Sequence, residues 1–145
     1  AELVAVCDIV EDFAKLASSR YGVERWYTDY REMLKDGGFD CVVVCTPDQV
    51  HAEQSIAAIE AGYHVLCEKP LAMEVEDVRA IVEAAKNIFE DEAKARLVRT
   101  QCISIIGVFG DKADLEALQA TIDKVESASD KSSYQSKLDA ELAKK

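Results

Sequence analysis

The stretch that decides the fold is DCVVVCTPDQVHAEQSIAAIEAGYHVLC, residues 40–67. It begins and ends with short apolar runs, DCVVVC (40–45) and HVLC (64–67), whose composition is typical of strands buried on both faces. Between them, apolar residues recur at helical spacing as far as Gly62, a residue type that often ends helices. Two strands joined by a helix predict a right-handed crossover, and therefore a parallel sheet.

The same alternation continues in both directions along the chain. Strand-like runs occur at LVAVC (3–7), around ERWY (24–27) and at CISIIGVF (102–109), and a helical pattern follows each of them. Five strands, each followed by a helix, predict an α/β fold: a three-layer α/β/α sandwich around a five-stranded parallel sheet. A chain of 145 residues supports one hydrophobic core, so we predict a single domain over residues 1–145.

The composition excludes several classes of partner. The net charge is −11, from 28 acidic and 17 basic residues, which opposes binding to a phosphate backbone or to an acidic membrane surface. No apolar run reaches the ~20 residues of a membrane-spanning helix, and no basic leader precedes an apolar stretch. We expect a cytoplasmic monomer or homodimer that binds neither nucleic acid nor membrane.

The cysteines predict a reduced protein without a metal site. Their number is odd, and each lies in an apolar run, as is typical of core thiols in a reducing compartment. Cys41 and Cys45 would share one face of a strand, but ~13 Å would separate them, and the sequence contains no CxxC. The five residues are Cys7, Cys41, Cys45, Cys67 and Cys102.

Five motifs occur in an order that is known from one family. They are LVAVCD, GVERWYTDYREML, VVVCTPDQVHAE, AIEAGYHVLCEKPLA and VEDVRAIVEAAK. Together they resemble the Gfo/Idh/MocA oxidoreductases, NAD(P)-dependent enzymes that act on sugars, cyclitols and related compounds. The resemblance covers residues 1–86, with EKP (68–70) as its hallmark. Residues 87–145 show no such resemblance, and we predict a strand–helix tail of other origin there.

The resemblance implies a set of cofactor contacts. Asp8, at the end of the first strand, matches the acidic residue that holds the adenosine ribose hydroxyls; a carboxylate there would also repel the extra phosphate of NADP. Thr46 and Pro47 match the turn that lines the cofactor. His51 matches the histidine of the family's TPNxxH pattern, although the asparagine of that pattern is Asp48 here.

The EKP motif supplies the candidate catalytic residue. The resemblance places Glu68 among the cofactor contacts, and Lys69 matches the lysine beside the nicotinamide and the substrate. A cation there can polarise the reacting oxygen and assist proton transfer. Simpler interpretations stay open, because Asp8 can cap the helix that follows it and Lys69 can be a solvated lysine.

Two departures from the family decide the functional prediction. The glycine-rich turn GxGxxG, which would hold the pyrophosphate at a helix N-terminus, does not occur in these residues, nor does a second α/β domain. We therefore predict a catalytically inactive scaffold, a truncated or chimeric fragment in which Lys69 is a relic. It would bind no cofactor, or NAD(P) at low affinity. The alternatives are an NAD(P)-binding oxidoreductase domain that retains these contacts and a flavodoxin-like module that binds a small ligand such as a nucleotide.

Two strand orders can complete the sheet. The family's order is 3-2-1-4-5-6, and without its first strand the renumbered order is 2-1-3-4-5, which is flavodoxin-like. CISIIGVF (102–109) would then lie at the edge beside HVLC (64–67). The alternative is a circularly permuted Rossmann fold, in which IIGVFGDKADLEALQAT (105–121) supplies the opening strand, glycine turn and helix. Phe109 and Lys112 would then occupy the positions of the second and third glycines.

Overall fold

The computed structural model describes residues 1–94 and 96–144. They divide into two compact units, Ala1–Val42 and Val43–Lys145. The prediction of a single domain stays a prediction. The elements, in chain order, are β1 (Ala5–Cys7), α1 (Glu11–Tyr21), β2 (Arg25–Tyr27), α2 (Tyr30–Asp36), β3 (Cys41–Val44), a 3-10 turn (Asp48–Val50), α3 (His51–Glu60), β4 (His64–Cys67), α4 (Val75–Glu90), α5 (Arg96–Phe109), α6 (Lys112–Asp123) and α7 (Ala128–Leu142).

The first unit is a small α/β arrangement with a sparse core. β1 and β2 pair in parallel, with Val6 opposite Trp26. The helix between them, α1, ends at Gly22, whose φ of 68° lies in the left-handed region that glycine adopts without steric cost. The strand β1 is half-buried along its length, whereas the sequence predicts burial on both faces. The buried apolar side chains of this unit are Ala14, Val23 and Leu34.

In the second unit, β3 pairs with β4, and α3 connects them as the sequence predicts. The pairing continues past the strand ends, where the Glu68 N–H donates to the Val44 carbonyl oxygen at 2.9 Å. Val44 is buried, but the side chains of Val43 and Leu66 are 59% and 63% exposed. The prediction that DCVVVC is buried on both faces is therefore wrong for β3.

The predicted fifth strand is a helix. Residues 102–109 form the second half of α5, and among the side chains of that helix that the structure describes, the buried positions are 99, 102, 103, 106 and 107. Spacings of three and four residues place these side chains on one helical face. The isoleucines in CISIIGVF gave the run the composition of a strand, and a short apolar run does not by itself distinguish a strand from a buried helix.

This correction changes the predicted architecture. The described strands form two two-stranded sheets, so the five-stranded sheet in the order 2-1-3-4-5 and the three-layer sandwich are not confirmed. The circularly permuted alternative is wrong, because its opening strand and glycine turn lie inside α5 and at its end. Asp111 instead begins α6 with a reciprocal capping box, in which its carboxylate accepts from the Asp114 N–H at 3.0 Å.

The core of the second unit lies mainly between helices, where α4, α5 and α7 meet. Phe89 and Tyr134 pack edge to face, with ring centroids 5.2 Å apart. The Arg99 guanidinium lies 5.2 Å from the Phe89 ring centroid and 5.3 Å from that of Tyr134. Its Nε donates to the Phe89 carbonyl oxygen at 2.7 Å. A buried cation is tolerated here because it is hydrogen-bonded and lies over two aromatic faces.

Close packing between α5 and α7 depends on a glycine and on a buried carboxylate. A Cβ added at Gly107 would lie 2.9 Å from the Glu141 Cβ, so a larger residue would push the helices apart. The Glu141 carboxylate pairs with the ammonium groups of Lys137 at 2.8 Å and Lys144 at 2.7 Å, and it accepts from the Ser104 hydroxyl. These hydrogen bonds lower the pKa of Glu141 to about 2.

We expect Tyr134→Phe to leave the free energy of unfolding unchanged or to raise it by up to about 1 kcal/mol. The Tyr134 hydroxyl is buried without a hydrogen-bond partner among the described residues, so its removal ends a desolvation cost. Tyr27→Phe is the matched control, because the Tyr27 hydroxyl donates to the Asp36 carboxylate at 2.6 Å. In urea unfolding, only the control Tyr27→Phe should have a lower free energy of unfolding than the wild type. A loss of more than about 1 kcal/mol in Tyr134→Phe would contradict the absence of a partner.

Within the described part of the chain, no helix combines the length and the apolar character that crossing a membrane requires.

Candidate cofactor-binding site

Two turns follow β3 and β4 at their carboxyl ends, the place where open α/β sheets bind ligands. Thr46 and Pro47 follow β3 after one intervening residue, Cys45, and Glu68, Lys69 and Pro70 come directly after β4. Because β3 and β4 are hydrogen-bonded neighbours, both turns lie at one edge of the second unit. The structure thus brings together most of the residues that the sequence proposes as a site.

His51 connects these turns. Its ring is 1% exposed, and it lies at the first position of α3. Nδ1 is 2.8 Å from the Pro70 carbonyl oxygen, and Nε2 is 2.8 Å from the Thr46 carbonyl oxygen. Carbonyl oxygens only accept hydrogen bonds, so both ring nitrogens must carry a proton to satisfy both contacts. A doubly protonated imidazolium is therefore the form of His51 that satisfies both contacts.

The electrostatic surroundings agree with a charged His51. The hydrogen bond to the Pro70 carbonyl is the largest cause that raises the pKa of His51 above its ordinary value of 6.5. Burial opposes that rise, while the Thr46 carbonyl and the carboxylates of Asp48 and Glu68 add to it. When protonated, His51 is a cationic bridge from the β3 turn to the β4 turn.

A second contact fixes the β3 turn. The Thr46 hydroxyl donates to the side-chain oxygen of Gln54, at 2.7 Å, one turn into α3. The carbonyl and the hydroxyl of Thr46 are therefore both held by α3. The sequence analysis did not single out Gln54 or the carbonyl of Pro70. The spacing of Gln54 from His51, three residues along one helix face, was the only available signal.

Lys69 is the free cation of the β4 turn. It is exposed, and its ammonium group has no hydrogen bond or ion pair with any residue that the structure describes. Its backbone N–H donates to the Glu68 carboxylate at 3.3 Å, which orders the pair locally. A cation without a protein partner is free to interact with a bound oxygen atom.

Asp8, in the first unit, follows β1 directly. Its Oδ1 accepts from the Val10 N–H at 2.8 Å, and its own N–H donates to the Tyr27 carbonyl oxygen at 3.1 Å. One carboxylate oxygen thus orders the turn before α1, although the N-cap position itself is Val10. No described residue donates to the second oxygen, which leaves an acceptor for a ligand hydroxyl.

The five thiols differ in solvent exposure, whereas the sequence predicts that all of them are buried. All five are free, but Cys41 and Cys45 are exposed, so the assignment of every cysteine to the core is wrong for these two. Cys102 is buried, and that burial raises its pKa to about 12. Among the residues that the structure describes, no group of three or more side chains could hold a metal ion.

The paired strands, the crossover helix and the residues at the strand ends are the features of a nucleotide-binding α/β fold. Residues 1–88 match the family described as "Oxidoreductase family, NAD-binding Rossmann fold". That match covers more than half of the chain, which therefore belongs to the Gfo/Idh/MocA oxidoreductases.

Individual relatives extend this result. The uncharacterized oxidoreductase ORF334 of Rhizobium meliloti is 32% identical over 128 residues, which cover 86% of this chain and 38% of that protein. Inositol 2-dehydrogenase of Salmonella typhimurium is 38% identical over 84 residues, 57% of this chain and 25% of that protein. The WlbA dehydrogenase structure from Bordetella pertussis, in complex with NADH and UDP-GlcNAcA, has 34% identity and a TM-score of 0.57, covering 61% of this chain and 26% of that one.

These matches show how much of each relative the chain spans and how far the similarity extends along the chain. The chain spans well under half the length of each of these relatives. The match to the Rhizobium protein is too long to end at residue 88, so it gives no support to a tail of other origin.

Proposed function

We propose that this chain supplies cofactor contacts to an NAD-dependent oxidoreductase, and that the 145-residue polypeptide by itself binds NAD weakly and transfers no hydride. The family membership carries the first statement, because its relatives are NAD-binding oxidoreductases. The second statement concerns these 145 residues as a separate polypeptide, which contains no GxGxxG turn.

Within the structure, the observation that supports the proposal is the His51 bridge. It fixes Thr46 and the Pro70 end of the EKP turn, each through a contact of 2.8 Å. Catalytic groups act well only when their surroundings hold them in position. A buried ring that holds both turns fixes the positions of the residues beside it, as a binding site requires.

Each unit, taken by itself, offers one feature that suits an NAD-dependent oxidoreductase. The Asp8 carboxylate has a free oxygen that can accept from a ribose hydroxyl, and its charge disfavours the extra phosphate of NADP. The unpaired Lys69 ammonium can polarise a substrate oxygen and move a proton at that oxygen. NAD, when bound, supplies the hydride chemistry that no side chain can provide.

The substrate class follows from the relatives. Inositol 2-dehydrogenase is named for a cyclic polyol, and WlbA was solved with a nucleotide sugar. We propose a secondary alcohol of a cyclic polyol or sugar as the substrate of the complete enzyme. Lys69 would then lie beside the oxygen of the carbon that is oxidised or reduced, where it can assist the transfer of the oxygen's proton.

We expect Asp8→Asn to weaken NADH binding by about three- to tenfold and to narrow the preference for NADH over NADPH. The charge at Asp8 can accept from the ribose and repel a phosphate, whereas an amide does neither as strongly. Isothermal calorimetry measures both affinities, and Asp12→Asn is the control, because Asp12 is an exposed acid in the first turn of α1. Equal affinities for the wild type and Asp8→Asn would contradict the assigned contact.

The inactivity of the isolated chain has a separate test. Incubation with NAD and myo-inositol should give no NADH absorbance above the rate without protein. Turnover that disappears in Lys69→Ala would contradict the inactive scaffold and favour a complete oxidoreductase domain.

A further inference from the structure

The second unit contains a cavity that begins at Glu68 and Lys69 and extends away from them between apolar side chains. It has a volume of about 420 Å³ and lies between β4 and the helices α3, α4 and α5. Pockets of 300–1,000 Å³ are the usual size for small-molecule ligands. Its walls are mostly apolar and include Ile59, Val65, Ile81, Ile105 and Phe109. One wall belongs to α5, the helix that replaces the predicted edge strand.

A buried polar group lines this cavity without a partner. Ser55 is 1% exposed, and its hydroxyl makes no hydrogen bond to any described group. Burial is the largest influence on the pKa of the nearby Cys67 thiol and raises it, while the Ser55 hydroxyl acts in the lowering direction without meeting the geometry of a hydrogen bond. An unpaired buried hydroxyl costs roughly 1–3 kcal/mol, so its retention in an apolar wall calls for a partner. An occupant with one polar atom would provide that partner.

The charges at the cavity decide what kind of occupant fits. Lys69 lines it and has no ion-pair partner in the described residues, so it can receive an anion. Burial, the largest cause, raises the pKa of the Cys67 thiol, so this wall stays neutral. Glu68 also lines the cavity and opposes an anion, but it is exposed and accepts from the Lys69 N–H. The balance favours one negative charge on the ligand, beside Lys69.

We propose that this cavity binds a small apolar carboxylic acid, with its hydrocarbon body between β4 and α5, its carboxylate beside Lys69 and a polar atom near Ser55. The proposal shares Lys69 and Glu68 with the proposed function, but the acid would also contact Ile81 and Ile105, which the NAD contacts do not include. Binding of the acid and binding of NADH can therefore succeed or fail separately.

The experiment uses 4-phenylbutyrate as the probe and 4-phenylbutan-1-ol as its uncharged match. Amide NMR titrations should show shifts at Val65, Cys67, Ile81 and Ile105 with both compounds, and tighter binding of the acid. Lys69→Met should lower the affinity for the acid about three- to fivefold and leave the affinity for the alcohol unchanged. Glu68→Gln should raise the affinity for the acid about twofold, because it removes a negative charge that repels the carboxylate.

Two further variants test the location of the site. Ile105→Trp should fill the cavity and abolish the shifts, whereas Val108→Trp, on an exposed position of the same helix, should leave them unchanged. Ser55→Ala should lower the affinity for both probes. Absent shifts at millimolar probe, equal affinity of acid and alcohol, or binding that survives Ile105→Trp in a folded protein would each overturn the proposal.

Discussion

Replacing His51 by phenylalanine is expected to lower the free energy of unfolding by about 2–4 kcal/mol. The ring volume is largely kept, but both donors are lost, and the carbonyl oxygens of Thr46 and Pro70 lose their partner. His51→Gln can retain one of the two hydrogen bonds, so its loss should be roughly half as large. Urea unfolding at pH 6 measures these differences, with His64→Gln as the control at the only other histidine.

The pH dependence of this loss follows from the raised pKa of His51. A group whose pKa is higher in the folded protein stabilises the fold fully below its unfolded value, 6.5 here, and that contribution disappears as the pH rises through the folded-state value. The difference between wild type and His51→Phe should therefore shrink in alkaline solution. In wild type, ¹⁵N–¹H spectra of the ring at pH 6 should show two protonated nitrogens. A neutral ring there would refute the cationic bridge.

Ile106→Ala is expected to lower the free energy of unfolding by about 2–5 kcal/mol, whereas Val108→Ala should change it by less than about 0.5 kcal/mol. Ile106 is fully buried on the inner face of α5, and Val108 is half exposed, although only one residue separates them. In a strand, residues two apart share a face and would be equally sensitive. The two measurements together distinguish the helix from the predicted strand.

A matched position strengthens this comparison. Ile103 lies three residues before Ile106 and is also fully buried, so Ile103→Val should cost about 0.5–1.5 kcal/mol. Similar losses at positions 106 and 108 would contradict the helical assignment of residues 102–109.

The sequence predicted the first part of the fold better than the rest. β1 to β4 and the helices between them were predictable because short apolar runs alternate with helical patterns that end at Gly22, Gly37 and Gly62. α5 was not, because its buried face is visible only when the helical spacing is followed back from Ile106 to Arg99. Arg99 makes that spacing hard to recognise, because charged residues are seldom buried and are not expected at core positions.

For the candidate site, the sequence supplied residues and the structure supplied their relation. Motif order pointed to Thr46, His51 and Lys69, but no spacing rule shows that one ring would contact two carbonyls nineteen and five residues away. Backbone acceptors carry no sequence signature, since every residue has a carbonyl. The cavity beside α5 was equally hidden, because it depends on a helix predicted as a strand.

Amide NMR titration with NADH examines the proposed cofactor contacts residue by residue. We predict saturable shifts in the millimolar range at Asp8 to Val10 in the first unit, and at Thr46, Glu68 and Lys69 in the second. The cavity residues Ile81 and Ile105 should not shift. Saturable binding of NADH elsewhere, or no shift at Asp8, Thr46 and Lys69 at any concentration that the nucleotide's solubility allows, would contradict the assignment of these residues to NAD.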